Sequence, residues 1–270
     1  MPDSFILTAI TADPEIVRAA DRAGVDRIGI DIERIGKQSR QGHLREARFA
    51  AHQLEDLAQV TATLKHARVF ARLNPFYDQS RHEIETALAL GAQVLMLPYF
   101  QGPAEVAAFL DIVAGRAAVV PLLETAAAAR RVQEIAALAG LQEIMVGLND
   151  LSLSLGLSSP FEAVALPLMT RIAQCVRGAG LRFGFGGLAR VTDASLPVHP
   201  DLVCAQYARL GATSAWLARS FYRGLRPEQI APAVDALRDR LREWSGQPAA
   251  VLEEQRDLLA QAVQPAFDRL

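Results

Sequence analysis

One stretch of this sequence, residues 68–150, decides the fold through four runs: RVFARLNP (68–75), QVLMLPYF (93–100), AAVVPLLET (117–125) and QEIMVGLND (142–150). Each is a short, mostly apolar run with polar residues or proline near its C-terminal end. Runs that are apolar on both faces suit strands buried on both sides, as in a parallel sheet. Arg72, Pro98, Glu124 and Asp150 fall 26 residues apart, each near the C-terminal end of its run. A regular strand–helix module sets all four at one rim of a barrel, and barrel enzymes keep their chemistry at that rim.

Working outward, SFILTAI (4–10) and DRIGIDIE (26–33) precede this block, while LRFGFGGLA (181–189) and TSAWLARSF (213–221) follow it, which makes eight strands. Ala- and Leu-rich amphipathic segments lie between them, such as PEIVRAADRAG from Pro14 and the long FAAHQLEDLAQVTATLKHA from Phe49. Gly24, Gly91, Gly115, Gly140, Gly180 and Gly211 stand where left-handed helix caps are needed. The pattern predicts an α/β fold, a (β/α)8 TIM barrel. A doubly wound open sheet is the alternative, but no glycine-rich phosphate loop follows the first strand. After the last strand come two more helix patterns, 227–244 and 249–270, separated by SGQP at 245–248. The expected division is a barrel domain over 1–245 and a helical extension over 246–270. The extension is free to pack under the barrel or to reach a neighbouring subunit.

Composition narrows the class. The chain has 270 residues and is 51% hydrophobic, enough for one large core and incompatible with wholesale disorder. A net charge of −2 and an aromatic fraction of 6% point away from nucleic acid and anionic membrane. Two cysteines, Cys175 and Cys204, make no disulfide framework and read as packing residues in helices. The N-terminal MPDSFILTAITADPE has no basic leader, and no run is apolar enough to span a bilayer, so a cytoplasmic location is expected.

The candidate chemistry gathers at the strand ends. Glu124 and Asp150, ending the fifth and sixth strands, would converge and need neutralisation. A hard cation, Mg²⁺ or Mn²⁺, is one answer; caps for the helices that follow are the other, and the residues alone leave both open. Arg72, in an otherwise apolar strand, must meet an anion or reach water. It either clamps a carboxylate or carbonyl oxygen or makes a structural salt bridge. Strand alternation puts Asp31 and Glu33 on one side, where one acid could hold Arg72. The loop after them carries Arg34, Lys37, Arg40 and His43, which is either a recruiting surface for an anionic substrate or a solvated loop. Gly184, Gly186 and Gly187 allow close approach to a ligand or tight barrel packing. Ser152, Ser154 and Gly156 follow Asp150 in a segment whose backbone N–H groups can hold a carboxylate. His52, His66 and His82 fall in helix patterns and read as surface residues.

GVDRIGIDIER, VFARLNP, VLMLPYF, VVPLLET, IMVGLNDLSLSLGL and FGFGGLAR, in this order, resemble the HpcH/HpaI aldolase and citrate lyase β-subunit-like family over roughly residues 4–222. The resemblance implies a (β/α)8 barrel that uses Mg²⁺ or Mn²⁺ to make or break carbon–carbon bonds through an enolate. Glu124 and Asp150 match the family's metal ligands. Arg72 matches the arginine that stabilises the enolate, and Asp31 and Glu33 match its acidic pair. The backbone at Asn149, Asp150 and Leu151 matches the segment that binds the substrate carboxylate, and Gly186 joins the expected substrate contacts. Family members often exchange their C-terminal helix, so a homo-oligomer is expected. One position departs: pyruvate aldolases carry a histidine directly after the second acid, where this chain has Arg34, and His43 could compensate if its loop folds inward. The expected activity is thus a metal-dependent lyase or aldolase acting on a small pyruvate-like 2-oxo acid. A β-hydroxyacyl-CoA lyase and a non-catalytic carboxylate- and metal-binding barrel are the rival readings.

Overall fold

A computed structural model describes residues 5–41 and 52–263. Its eight strands close into one parallel barrel in chain order. They are β1 (Ile6–Ile10), β2 (Arg27–Asp31), β3 (Arg68–Arg72), β4 (Val94–Leu97), β5 (Ala118–Leu123), β6 (Glu143–Val146), β7 (Arg182–Leu188) and β8 (Ser214–Leu217). All eight lie inside the expected runs. Each is shorter, because the polar tails leave the sheet to form the rim. Closure is made by β1 and β8, with Ile6 opposite Ser214 and Thr8 opposite Trp216.

The early helices are α1 (Pro14–Arg22), α2 (Lys37–Gln41), α3 (Asp56–Thr63), α4 (Ser80–Ala89) and α5 (Pro103–Val113). Then come α6 (Ala126–Arg130), α7 (Val132–Ala136), α8 (Leu148–Ser154), α9 (Glu162–Ala165) and α10 (Pro167–Gly178). The last are α11 (Pro200–Leu210), α12 (Arg219–Tyr222), α13 (Ile230–Ser245) and α14 (Ala249–Val263). The expected glycine caps are all left-handed, with φ between 63° at Gly211 and 97° at Gly91. Two expected helices are divided. Arg131 interrupts the 126–140 segment between α6 and α7, and Pro167 starts a new helix after α9 because proline lacks the N–H that continuation needs. Of the helix expected from Phe49, the described residues are helical over α3, and His52 and His66 lie outside α3. His52 is only partly exposed, while His66 and His82 are exposed.

The core has two parts. A shell of aliphatic and aromatic side chains fills the space between strands and helices. Inside the barrel, Phe70, Val94, Met96, Val120, Leu122 and Met145 form an apolar plug, bordered by Ile10, Ala118 and Trp216. Gly29 lets β2 and β3 close, since a Cβ there would sit 1.6 Å from the Phe70 carbonyl oxygen. At the bottom, Arg27 of β2 and Glu143 of β6 form a buried ion pair at 2.6 Å. The last two helices dock on the barrel: α13 packs against α1 and α11, and α14 against α9 and α11. Arg238 of α13 donates to the carbonyl oxygens of Phe5 (2.9 Å) and Gly24 (2.6 Å) and pairs with Asp26 at 2.9 Å, which ties the late helix to both ends of the first βα unit. Among the described residues, no helix is long and apolar enough to cross a membrane.

Candidate active site at the barrel rim

Asp31 and Arg72 end neighbouring strands and face each other in register. Arg72 Nε and Nη2 donate to the two Asp31 oxygens at 2.8 and 2.5 Å, a bidentate fork. The pair is buried, with Asp31 2% and Arg72 9% exposed. Burial pushes the Asp31 carboxyl up, but the charge and hydrogen bonds of Arg72, with Lys37 beside them, outweigh it and hold Asp31 well below the usual range. Burial works against the Arg72 charge, and Asp31 and Glu33 overcome it, so the guanidinium stays charged. Its remaining nitrogen, Nη1, lies 3.2 Å from Glu33 Oε2 and 3.9 Å from Glu124 Oε1. Trp216 stands against the guanidinium, 4.7 Å from ring centre to Cζ.

Glu124 follows β5 directly, and it does not cap the next helix: the Thr125 side chain does that, accepting from the Ala128 N–H. Asp150 is the third residue of α8, whose N-cap is Gly147. Neither acid is thus the N-cap residue of the helix that follows it. Gly147 exists to make room, because a Cβ there would come within 2.2 Å of Glu124 Oε1. The Tyr99 N–H donates to Glu124 Oε2 at 3.1 Å, from a residue held at φ 50°. Left-handed backbone is costly for a non-glycine residue and is often kept where a site needs it. Glu33, Glu124 and Asp150 are all buried, and one oxygen of each lies within 4.8 Å of the others. Burial, then the nearby Glu33 and Asp150 charges, push the Glu124 carboxyl well above its ordinary value, with Arg72 opposing. Glu33 Oε2 is buried and accepts no hydrogen bond, although Lys37 Nζ is 3.1 Å away. Three buried carboxylates with a spare oxygen fit a hard divalent cation.

Two further cations enter from α2. Lys37 is 4% exposed and pairs with Asp31 at 3.3 Å as well as Glu33. Arg40 spans two acids, with Nη2 2.5 Å from Glu33 Oε1 and Nε 3.3 Å from Asp150 Oδ1, and its guanidinium lies 3.6 Å from the Tyr99 ring centre.

The sequence model of the HpcH/HpaI aldolase/citrate lyase family matches residues 5–193. The chain belongs to this family. No curated protein sequence matches it. Among solved structures, this HpcH/HpaI family member is similar to a Burkholderia cenocepacia protein of the same family, 18% identical over 89% of this chain and 95% of that one, with a TM-score of 0.63. It is also similar to the Mycobacterium tuberculosis protein CitE in complex with magnesium and pyruvate, 22% identical over 96% and 98% of the two chains, TM-score 0.61. A third is the M. tuberculosis citrate lyase β subunit complexed with oxaloacetate and magnesium, 22% identical over 90% and 97%, TM-score 0.60.

The remaining positions separate in this HpcH/HpaI family member. Asn149, Asp150 and Leu151 form the first turn of α8, where Leu151 N–H already donates to the Gly147 carbonyl at 3.2 Å. Ser152 and Ser154 serve local structure: Ser152 Oγ donates to the Asn149 carbonyl, and Ser154 Oγ accepts from the Ala126 N–H. Gly186 lies beside Trp216 in the β7–β8 register, and a Cβ there would meet nothing within 4 Å. Arg34 is exposed and sends a guanidinium nitrogen to the His52 carbonyl oxygen at 2.9 Å. His43 falls outside the described residues. His52 does approach the site, since its Nδ1 accepts from the Asp31 N–H at 3.3 Å. Sequence reasoning missed Lys37 and Arg40 as partners of the acids; the four-residue step from Glu33 to Lys37 was the available signal. It also missed Trp216 and Tyr99, for which no spacing signal existed.

Proposed function

We propose that this family member is a divalent-metal-dependent carbon–carbon lyase acting on a small 2-oxo acid through its enolate. The observation that carries the reading is the Arg72 guanidinium, fixed by Asp31, with Nη1 3.9 Å from Glu124 and beside the three-carboxylate cluster. The related M. tuberculosis structures, which hold magnesium with pyruvate or with oxaloacetate, support it. Glu33, Glu124 and Asp150 would hold Mg²⁺ or Mn²⁺, which when bound supplies Lewis-acid polarisation of the substrate carbonyl.

The chain's own residues set the rest. Arg72 keeps a full positive charge where an enolate oxygen would develop, without reorganising when that charge appears. Asp31 fixes its orientation through the fork. Trp216 and the apolar plug beneath it exclude water from below, which strengthens every charge interaction at the rim. Asn149, Asp150 and Leu151 border the substrate, and Gly186 leaves open space beside Trp216 for its substituent. Glu33 and Asp31 tune Arg72, and His43 remains part of the proposed catalytic set. The proposal includes a barrel domain over 1–245 with an extension over 246–270, assembly as a homo-oligomer and a cytoplasmic setting.

One observation favours a second substrate class. Arg34 replaces a proton-transferring histidine and turns away to the His52 carbonyl, which suits a β-hydroxyacyl thioester as well as a free acid.

Proton NMR of pyruvate in D₂O with the protein and Mg²⁺ or Mn²⁺ tests the reading. Metal-dependent, EDTA-sensitive loss of the methyl signal to deuterium is expected, and it should vanish in Glu124→Ala. No exchange with pyruvate, larger 2-oxo acids or acyl thioesters, despite bound metal, would sink the lyase reading and leave a binding barrel.

A further inference from the structure

We propose that Arg40 is a built-in, displaceable cation that sets the metal affinity of this site. The inference rests on the metal reading above but concerns a residue outside the proposed ligand set. Glu33, Glu124 and Asp150 form the cluster able to take a metal ion, and Arg40 ion-pairs with two of those three acids, through Glu33 Oε1 at 2.5 Å and Asp150 Oδ1 at 3.3 Å. A metal ion and the guanidinium draw on the same two carboxylates, so Arg40 competes with the metal for their charge even though Glu33 keeps Oε2 spare. By linkage, whatever Arg40 gains from those acids is subtracted from metal binding.

The other two cations are placed differently. Arg72 is committed to Asp31 by its fork, and Lys37 lies between Asp31 and Glu33. Arg40 instead bridges Glu33 and Asp150. Arg40 is also the least buried of the three, with a side chain 12% exposed against 10% for Arg72 and 5% for Lys37. The Tyr99 ring, 3.6 Å from its Cζ, gives the guanidinium a resting face that needs no carboxylate. Release from the acids therefore does not require the guanidinium to be stranded in an apolar pocket. Once released, it stands at the rim as a free cation beside the loaded site, where it can meet an anionic group on an incoming substrate.

The test measures Mn²⁺ alone, with no substrate. Mn²⁺ binding is followed by electron paramagnetic resonance and calorimetry in the full-length wild type, Arg40→Gln, Arg40→Lys and Lys37→Gln. Thermal melts confirm that each variant folds. Arg40→Gln is expected to bind Mn²⁺ about tenfold more tightly, the factor for losing one charge-assisted competitor. Arg40→Lys, which keeps the charge but loses the planar fork, should fall between it and wild type. Lys37→Gln should tighten binding less than Arg40→Gln, which separates displacement from a general change of charge. As a direct readout, phenylglyoxal modification of Arg40, read by mass spectrometry, should rise when Mn²⁺ is added. Equal or weaker Mn²⁺ binding by Arg40→Gln, or an Arg40 reactivity that Mn²⁺ leaves unchanged, would overturn the proposal and leave the metal site intact. Absence of Mn²⁺ binding in every protein would overturn the metal reading itself.

Discussion

Arg72 can carry its charge at 9% exposure because Asp31 meets it with two hydrogen bonds. Asp31→Asn keeps the shape and removes the countercharge, so it should destabilise the fold by about 3–5 kcal/mol, the usual cost of leaving a buried charge unpaired. A urea melt at neutral pH reads this directly; a loss below about 1 kcal/mol would show that Glu33 and Glu124 suffice for Arg72. The two acids respond to pH in opposite directions. Asp31 is held below its ordinary 3.8, so its contribution to stability is present above that value and is lost as pH falls through the folded-state value. Glu124 is pushed above its ordinary 4.5, so without metal the fold loses stability as pH rises from there through the raised value. Metal must displace that same proton. Mn²⁺ affinity should therefore climb with pH across the window, with proton release that appears as a buffer-dependent heat in calorimetry. A heat independent of buffer at every pH above 4.5 would mean that Glu124 is ionised before the metal binds. Arg72, Glu124 and Asp150 were legible because charge in an apolar strand or at its end has few bland explanations. Lys37 and Arg40 were not, because one short helical turn with charges looks like any solvated loop. Trp216 was read only as a strand residue, since nothing in TSAWLARSF marks the inner face.

At the scale of elements, the β2–α2 connection is held from outside the site. The Asn74 side-chain oxygen accepts from the N–H groups of Arg34 (2.8 Å) and Ile35 (3.1 Å). The buried Glu83 of α4 in turn accepts from Asn74 N and Nδ2 at 2.8 and 2.7 Å and from Tyr77 Oη at 3.2 Å. Asn74→Ala should cost about 1–3 kcal/mol by leaving these donors and acceptors unmet. Because the connection carries Glu33, Lys37 and Arg40, the same change should weaken Mn²⁺ binding several-fold. A destabilised variant with unchanged Mn²⁺ affinity would show that Glu33 keeps its place without this anchor. The longer helices were readable from periodicity, and six of their ends from glycine, whereas short α2 and α12 were not. What periodicity could not show was interruption: Arg131 divides α6 from α7 where the Ala-rich pattern runs on unbroken. The strands were readable because each apolar run matched a buried segment, and their overestimated length came from counting the polar rim residues as sheet.

Across the whole molecule, the barrel closes in chain order, and its last strand completes its first. The eightfold alternation made this architecture legible. The docking of α13 and α14 onto α1, α9 and α11 was not, because an amphipathic helix does not name its partner. Closure has a consequence for how the protein is made. More than two hundred residues separate Ile6 from its partner Ser214. At roughly 5–20 residues per second, the outer edge of β1 stays open for about 10–40 s of synthesis. An unpaired apolar strand edge invites pairing with another chain. Chains stalled on the ribosome before residue 214 should therefore be bound by holding chaperones and cut by protease near β1. Chains extended past α13 should resist both, because Arg238 then fastens the first strand from behind. Equal protease resistance at both lengths would mean that β1 finds another shelter during synthesis. The nascent barrel thus depends on the last part of its chain to protect its first strand, and crowding at the ribosome exit, more than mature stability, becomes the point where this fold is most exposed.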